Sequence, residues 1–341
     1  MKKNKIPLMI ALIGMVVVIG VVFVIIHQKT KNPEAEEFST EVYSENANKT
    51  MEKWQEGVIT YQGKDYIYNQ DLSIYYLMGI DIEGPVQKAS DGISGGQSDA
   101  NFLLVADKGT KQLSVFSINR NTMTDIELYG IDGSRLGTEV RQINLQHGYG
   151  DGMKLSCSLA VEAVEKLFYN IPINGYMSIN MGAIPAINDA VGGVTVTILP
   201  GVDQLPGIDE LEEGQTITLN GKQAYTYVRD RDCGVFDSAT YRMRRQEQYV
   251  SEFLKKVKTD SGTNVAAAMD LYQAVDDYLV TDVDFEKLVT ELLQYEYDSN
   301  RLYTVPGETK LNEVTHFEEF YVDEEAFYEQ IIQVFYKEVE Q

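Results

Sequence analysis

Residues 6–26, IPLMIALIGMVVVIGVVFVII, hold no charged side chain, and this run constrains where the rest of the chain can fold. A helix rises 1.5 Å per residue, so such a run reaches roughly 30 Å, the thickness of a bilayer's hydrocarbon core. A secretory signal would carry a shorter apolar core ending at a small-residue, A-x-A-like cleavage site. Here Phe23, Val24, Ile25 and Ile26 pass straight into His27 and Gln28, so the run reads as a single retained transmembrane helix. Lys2, Lys3 and Lys5 precede it, while Lys29 and Lys31 follow before Glu34, Glu36 and Glu37. The positive-inside bias then favours residues 1–5 as a cytoplasmic tail and the remainder as extracytoplasmic.

With five lysines and no acid in the first 31 residues, the chain's net −23 leaves −28 on the remainder. So acidic a body argues against nucleic acid as a partner. Residues 27–57 are polar and acidic and read as a stalk. Residues 58–341 are long enough for one large α/β domain.

Val58–Tyr61 and Tyr66–Tyr68 flank Gln62-Gly63-Lys64-Asp65 as a hairpin. Leu72–Ile80 reads as a buried strand, followed by a loop over 82–98 and strands at Phe102–Ala106, Leu113–Ile118 and Thr124–Leu128. Apolar residues at helical spacing predict a helix over Leu155–Phe168, and another over Gly182–Val191 stops at Gly192-Gly193. A strand Val194–Leu199 comes next, then helices at Ala239–Val257, Ala266–Tyr278 and Asp284–Tyr295, a strand Leu302–Val305 and a helix from Asp323. Strands mixed with helices along one continuous length predict a three-layer α/β/α domain around a central mixed sheet.

Five of the nine arginines lie between Arg229 and Arg245, in RDRDCGVFDSATYRMRR. If Tyr227–Asp232 is extended, Arg229 and Arg231 share a face. If Thr240–Val250 is helical, Arg242, Arg245, Gln246 and Tyr249 share another. Guanidinium groups gathered this way repel unless an anion lies between them, and their planar forks suit phosphate oxygens. The competing reading is a solvated face paired with Asp230, Asp232 and Asp237.

Other chemistries are poorly supported. Gly92-Ile93-Ser94-Gly95-Gly96 matches G-x-S-x-G, but the polar residues before it are not the buried strand that a serine nucleophile elbow requires. No P-loop ending and no zinc-ligand spacing is present. Cys157 and Cys233 stand either as a disulfide or as two unbonded thiols.

The segments LMGID (77–81), SDANFLLV (98–105), SVFSINRNT (114–122), INLQHGYGDG (143–152), INDAVGGVTV (187–196), LNGKQAYTYVRDR (219–231) and YRMRRQ (241–246) occur in this order. Together they resemble the LytR-CpsA-Psr family of bacterial cell-wall proteins. The resemblance implies transfer of a glycopolymer, such as teichoic acid or capsular polysaccharide, from a polyprenyl-pyrophosphate lipid to peptidoglycan, forming a phosphodiester. It also implies Mg2+ held by Asp81 and Asp99, and an apolar groove between sheet and helices for the polyprenyl chain. Arg120, Arg229 and Arg231 match the family's catalytic arginines; Arg242, Arg245, Gln246 and Asn144 match its substrate-binding positions. It further implies a cell-membrane location in a Gram-positive bacterium, and gives a Cys157–Cys233 disulfide a role in pinning the active-site loop.

The sequence departs from the family pattern in several places. Gln97 and Ala100 flank Ser98-Asp99 where the family has R-S-D-T, Asn121 replaces the acid of P-R-D, and Gln142 replaces the lysine of K-I-N. An amide coordinates magnesium weakly and is no base, so the alternative is a lipid-binding cell-wall assembly factor with little or no turnover. A third reading, hydrolysis of the lipid pyrophosphate, would release phosphate without an acceptor.

Overall fold

The computed structural model describes residues 57–202, 211–259, 272–273, 275–284, 288 and 294–339. The predicted hairpin forms as β1 (Ile59–Tyr61) and β2 (Lys64–Tyr68), turning through Gln62 and Gly63, both at positive φ. LSIYYLMGI becomes β3 (Leu72–Ile80) and is apolar almost throughout because both of its faces are covered. Ile74, Tyr76, Met78 and Ile80 enter one core and Leu77 the other, the period-two alternation of a strand. Antiparallel to it runs β4 (Ser98–Asp107), which turns back into β5 (Gln112–Ser117).

A ribbon of β6 (Met123–Tyr129) and β7 (Arg135–Gln142) leads to the short α1 (Leu145–Gly148) and the long α2 (Lys154–Leu167). The chain then makes β8 (Gly175–Asn180), α3 (Ile184–Ala190), and the small antiparallel pair β9 (Thr195–Thr197) and β10 (Thr216–Thr218). Two helices follow, α4 (Gly221–Arg229) and α5 (Ser238–Thr259). The last elements are β11 (Leu279–Thr281), β12 (Glu296–Thr304), the hairpin β13 (Gly307–Leu311) and β14 (Glu318–Val322), α6 (Glu324–Phe335) and β15 (Tyr336–Glu338).

The central sheet has the order β11-β8-β3-β4-β5-β12. It is mixed: β3–β8 and β5–β12 are parallel, and the other neighbours are antiparallel. On one face, α2 and α6 pack Ala160, Val164, Phe327 and Phe335 onto Leu103, Val105 and Phe116. On the other, α3, α4 and α5 pack Ile187, Tyr227, Tyr249 and Phe253 onto Leu77, Phe102 and Leu104. Helices therefore cover both faces, as predicted.

Several expectations are corrected. Residues 227–229 are the end of α4 rather than a strand; Asn220 accepts from Gln223 N while Gln223 Oε1 accepts from Asn220 N, a reciprocal cap that starts the helix. Of the two alternatives for Cys157 and Cys233 the disulfide is absent, and both thiols are unbonded. Cys157 is a buried residue of α2, whereas Cys233 is exposed in the loop between α4 and α5, helices that pack on the other face of the sheet. Residues 276–278 form a short 3-10 turn, and the predicted helices Ala266–Tyr278 and Asp284–Tyr295 otherwise fall largely outside the described residues. The predicted transmembrane helix over 6–26 lies outside them too; among the described residues, no helix is long and apolar enough to cross a membrane.

Candidate active site

The site forms where β3 ends and β4 begins. Gly79 pairs with Ala100 and Ile80 with Ser98, so Asp99 is the extra residue of a bulge. Bulges of this kind re-aim a side chain out of its strand's alternation. The backbone N–H of Asp81 donates to Gln97 O at 3.0 Å, and that of Gln97 donates to Asp81 Oδ1 at 2.7 Å. The two acids thus stand on neighbouring strand ends at one rim of the sheet.

Asp99 is gripped by two arginines. Arg242 Nη1 donates to its Oδ2 at 2.8 Å, and Arg120 Nε lies 2.7 Å from its Oδ1, a close charge pair without hydrogen-bond geometry. Arg120 Nη2 also donates to Gln97 Oε1 at 2.5 Å, and Asn144 Nδ2 donates to the same oxygen at 2.8 Å. Gln97, a departure from the family pattern, is therefore the acceptor that joins two predicted site residues. Arg120 has a lowered pKa because it is buried, with Asp99 and Asp81 acting against and Arg242 and Arg231 with that shift. It remains a cation at any physiological pH.

Asp81 is exposed at the rim and forms no ion pair among the described residues. Its carboxyl is nevertheless raised above the usual range, first by partial burial and then by the like charge of Asp99, against the Gln97 N–H and Arg120. A cation between the two carboxylates would remove their repulsion and favour the ionised form against the effect of burial.

The remaining arginines approach from α4 and α5. Arg229 ends α4, its Nη1 3.2 Å from Asp230 Oδ1 and its Nη2 3.4 Å from Glu83 Oε1. Its guanidinium lies over the Tyr225 ring, 5.4 Å from the centroid, and the Tyr225 hydroxyl donates to Glu83 at 2.8 Å. Any Cβ at Gly182 would overlap the Glu83 carbonyl, so this close approach requires glycine. Arg231 Nη1 donates to Ser238 Oγ at 2.9 Å.

Arg242, Arg245, Gln246 and Tyr249 share the buried face of α5, as their spacing predicts. Their partners were not legible from spacing. Gln246 Nε2 donates to Val228 O at 3.0 Å, Arg242 Nη1 lies 3.5 Å from Arg229 O, and Arg245 Nη2 donates to Asp230 O. The side chains of α5 therefore cap the carbonyl end of α4, where helices leave acceptors without internal partners. Burial lowers Arg245 to about 10. Arg242 Nε and Arg245 Nη1 remain buried donors without an acceptor among the described residues, and Asn144 Oδ1 is a buried acceptor without a donor.

A groove of about 910 Å³, including its open mouth, begins beside these residues. Leu77, Ala100, Phe102, Met177, Ile184 and Tyr249 line its interior; Asp99, Arg229 and Arg242 stand at its polar end. Sequence reasoning missed Tyr225, Glu83, Ser238 and the joining role of Gln97. The Asn220–Gln223 spacing was the available signal, because a helix there puts Tyr225 one turn before Arg229.

Fold and site together define an α/β protein whose arginine-rich cationic cluster opens onto an apolar groove, an arrangement suited to a ligand with an anionic head and an apolar tail. The chain belongs to the LytR_cpsA_psr family, whose model matches residues 28–331. It is similar to the polyisoprenyl-teichoic acid–peptidoglycan teichoic acid transferase TagU of Enterococcus faecalis, 30% identical over 258 residues, 73% of this chain and 75% of that one. The protein of the same name from Oceanobacillus iheyensis is 30% identical over 218 residues, 62% of this chain and 61% of that one. Among solved structures, protein gbs0355 from Streptococcus agalactiae has a TM-score of 0.60 at 22% identity, covering 77% of this chain and 87% of that one; this likeness supports the fold.

Proposed function

We propose that this chain is a membrane-anchored transferase that moves a glycopolymer from a polyprenyl-pyrophosphate lipid to peptidoglycan, with the apolar run 6–26 as its anchor and the main domain outside the cell. The observation that carries this reading is the shared mouth of the arginine cluster and the apolar groove. A diphosphate head would meet Arg120, Arg229, Arg231 and Arg242 while its prenyl tail runs between the sheet and α3, α4 and α5. The orphan donors Arg242 Nε and Arg245 Nη1 support an anionic occupant, because a buried N–H without an acceptor costs about 1–3 kcal/mol.

In the reaction, an acceptor hydroxyl forms a new P–O bond at the sugar-bearing phosphorus. The bridging P–O bond of the diphosphate breaks, and polyprenyl phosphate leaves with the electron pair. The acceptor's proton passes to solvent or to a base. Arg120, Arg229 and Arg231 stabilise the charge that grows on the departing phosphate. Arg242 and Gln246 hold the end of α4, and so fix the position of Arg229. Asp81 and Asp99 would hold Mg2+, which takes one or two carboxylates and completes its shell with water and phosphate oxygens. Once bound, the ion would supply further charge neutralisation.

The test is binding of a polyprenyl diphosphate by the full chain in detergent, followed by Mg2+-dependent turnover with a lipid-linked donor and a peptidoglycan acceptor. Arg229→Ala and Arg231→Ala are each expected to weaken binding about tenfold or more, since each removes one charge-assisted contact worth about 1.5–3 kcal/mol. Unchanged binding in both would sink the assignment. Binding without turnover would favour a lipid-binding assembly factor, and phosphate release without acceptor a hydrolase.

The raised Asp81 carboxyl gives the metal assignment its own check. Magnesium is expected to raise the melting temperature of the wild type and to leave Asp81→Asn unaffected. A raised pKa lets protons compete from a higher pH, so this protection should fade with acidification earlier than at an ordinary carboxylate. Without metal the sign reverses. The folded state binds the proton more tightly than the unfolded state, so this contribution to stability is present at low pH and is lost as pH rises through the folded value. Equal magnesium protection in Asp81→Asn would remove Asp81 from the metal site.

A further inference from the structure

The C-terminal hairpin of β13 and β14 docks beside the arginine loop through Glu318. Glu318 Oε1 accepts from the backbone N–H of Asp237 at 2.5 Å, and its Oε2 accepts from Asn121 Nδ2 at 3.4 Å. Its own carbonyl accepts from Gln142 Nε2 at 2.5 Å, and Phe320 N donates to Asn121 O at 2.9 Å. Asn121 and Gln142, two departures from the family pattern, are thus both used to seat this hairpin.

Asp237 is the residue the hairpin holds. Its φ is +61°, a conformation that aspartate tolerates better than most residues but that persists only where the surroundings enforce it. Glu318 fixes its N–H, and Thr309 Oγ1 of β13 donates to its Oδ1 at 2.5 Å. Asp237 precedes Ser238, the first residue of α5, whose hydroxyl accepts from Arg231 at 2.9 Å. One chain of contacts therefore links the hairpin to an arginine of the site.

We infer that Glu318 is a positioning residue: it braces the loop over 232–238 and thereby sets where Arg231 points. The function it serves rests on the diphosphate-binding reading above, but the brace is a property of this chain's own contacts. Glu318 forms no ion pair among the described residues, and the protein groups that meet its half-buried carboxylate are amide donors. A second carboxylate at position 121 would face it without compensation.

The experiment uses the full chain in detergent, with hydrogen–deuterium exchange over 232–238 and affinity for geranylgeranyl diphosphate in magnesium as paired readouts. Glu318→Ala is expected to speed exchange in the loop and to weaken the probe about tenfold, the effect of losing one supported charge contact. Glu318→Gln keeps an oxygen for Asp237 N–H and should stay near wild type. Asn121→Asp should behave like Glu318→Ala through repulsion, and adding Glu318→Gln to it should restore both readouts. Unchanged loop exchange in Glu318→Ala and Asn121→Asp would overturn the brace. If Glu318→Ala does not fold, the near-isosteric Asn121→Asp and its rescue still decide the matter. A wild type that fails to bind the probe counts against the diphosphate reading, while the exchange measurement still tests the brace.

Discussion

Arg242→Ala is expected to destabilise the protein by about 3 kcal/mol, near the lower end for breaking a buried ion pair. The side chain is only 5% exposed, and its guanidinium spans Asp99 Oδ2, the Asp99 carbonyl and the Arg229 carbonyl. Truncation removes a donor from the buried end of α4 and leaves one oxygen of Asp99 without its cation. Arg120 still lies 2.7 Å from the other oxygen, which keeps the loss from being larger. Arg242→Lys should recover only part of the stability, because an ammonium is a point charge that cannot reach all three acceptors. Asp99→Asn combined with Arg242→Met should cost less than Arg242→Ala alone, since neither charge is then buried without a partner. Denaturant unfolding of the wild type and the three variants measures these differences. Wild-type stability in Arg242→Ala would mean that the pair contributes nothing to the fold. Diphosphate binding should fall together with stability, because Arg242 both touches the site and holds the residue before Asp230 in place.

Much of this site could be read from the chain, and the failures have physical causes. Strand β3 matched its predicted bounds because burial on both faces makes a strand an unbroken apolar run. The shared face of Arg242, Arg245 and Gln246 followed from helical spacing alone. What they touch did not, since spacing locates a face without naming the element packed on it. Helix α4 was missed because Tyr225 and Tyr227 alternate with polar residues as a strand would. The Asn220–Gln223 cap that overrides this pattern lies outside the alternating stretch. The choice between a disulfide and two free thiols stayed open for a related reason: bond formation needs Cα atoms within about 7 Å, and cysteine spacing carries no such information. The roles of Gln97 and Glu318 depend on contacts across 23, 47 and 81 residues of chain, which local pattern cannot supply.

Filling the groove should separate tail binding from head binding more sharply than any change among the arginines. Ala100 lies on β4 next to the bulged Asp99, pairs with Gly79 and lines the groove's interior beside its polar end. Ala100→Trp would place an indole where the first part of a prenyl tail must run, and the void beside it can take the added volume with little strain. The expected result is a loss of about 100-fold or more in affinity for geranylgeranyl diphosphate, because each displaced CH2 forfeits about 0.8 kcal/mol of burial. Inorganic diphosphate, which has no tail, should bind the variant and the wild type alike. The medium decides whether the effect is seen. In a bilayer or micelle the tail already lies among hydrocarbon, so moving it into the groove gains little from the hydrophobic effect and the measured loss shrinks. The comparison therefore belongs in water below the probe's micellar concentration, with detergent kept to what the N-terminal apolar run requires. Equal geranylgeranyl diphosphate affinity in Ala100→Trp and wild type would show that the groove is not the tail's seat. An equal loss for both ligands would show that the substitution had disturbed Asp99 instead.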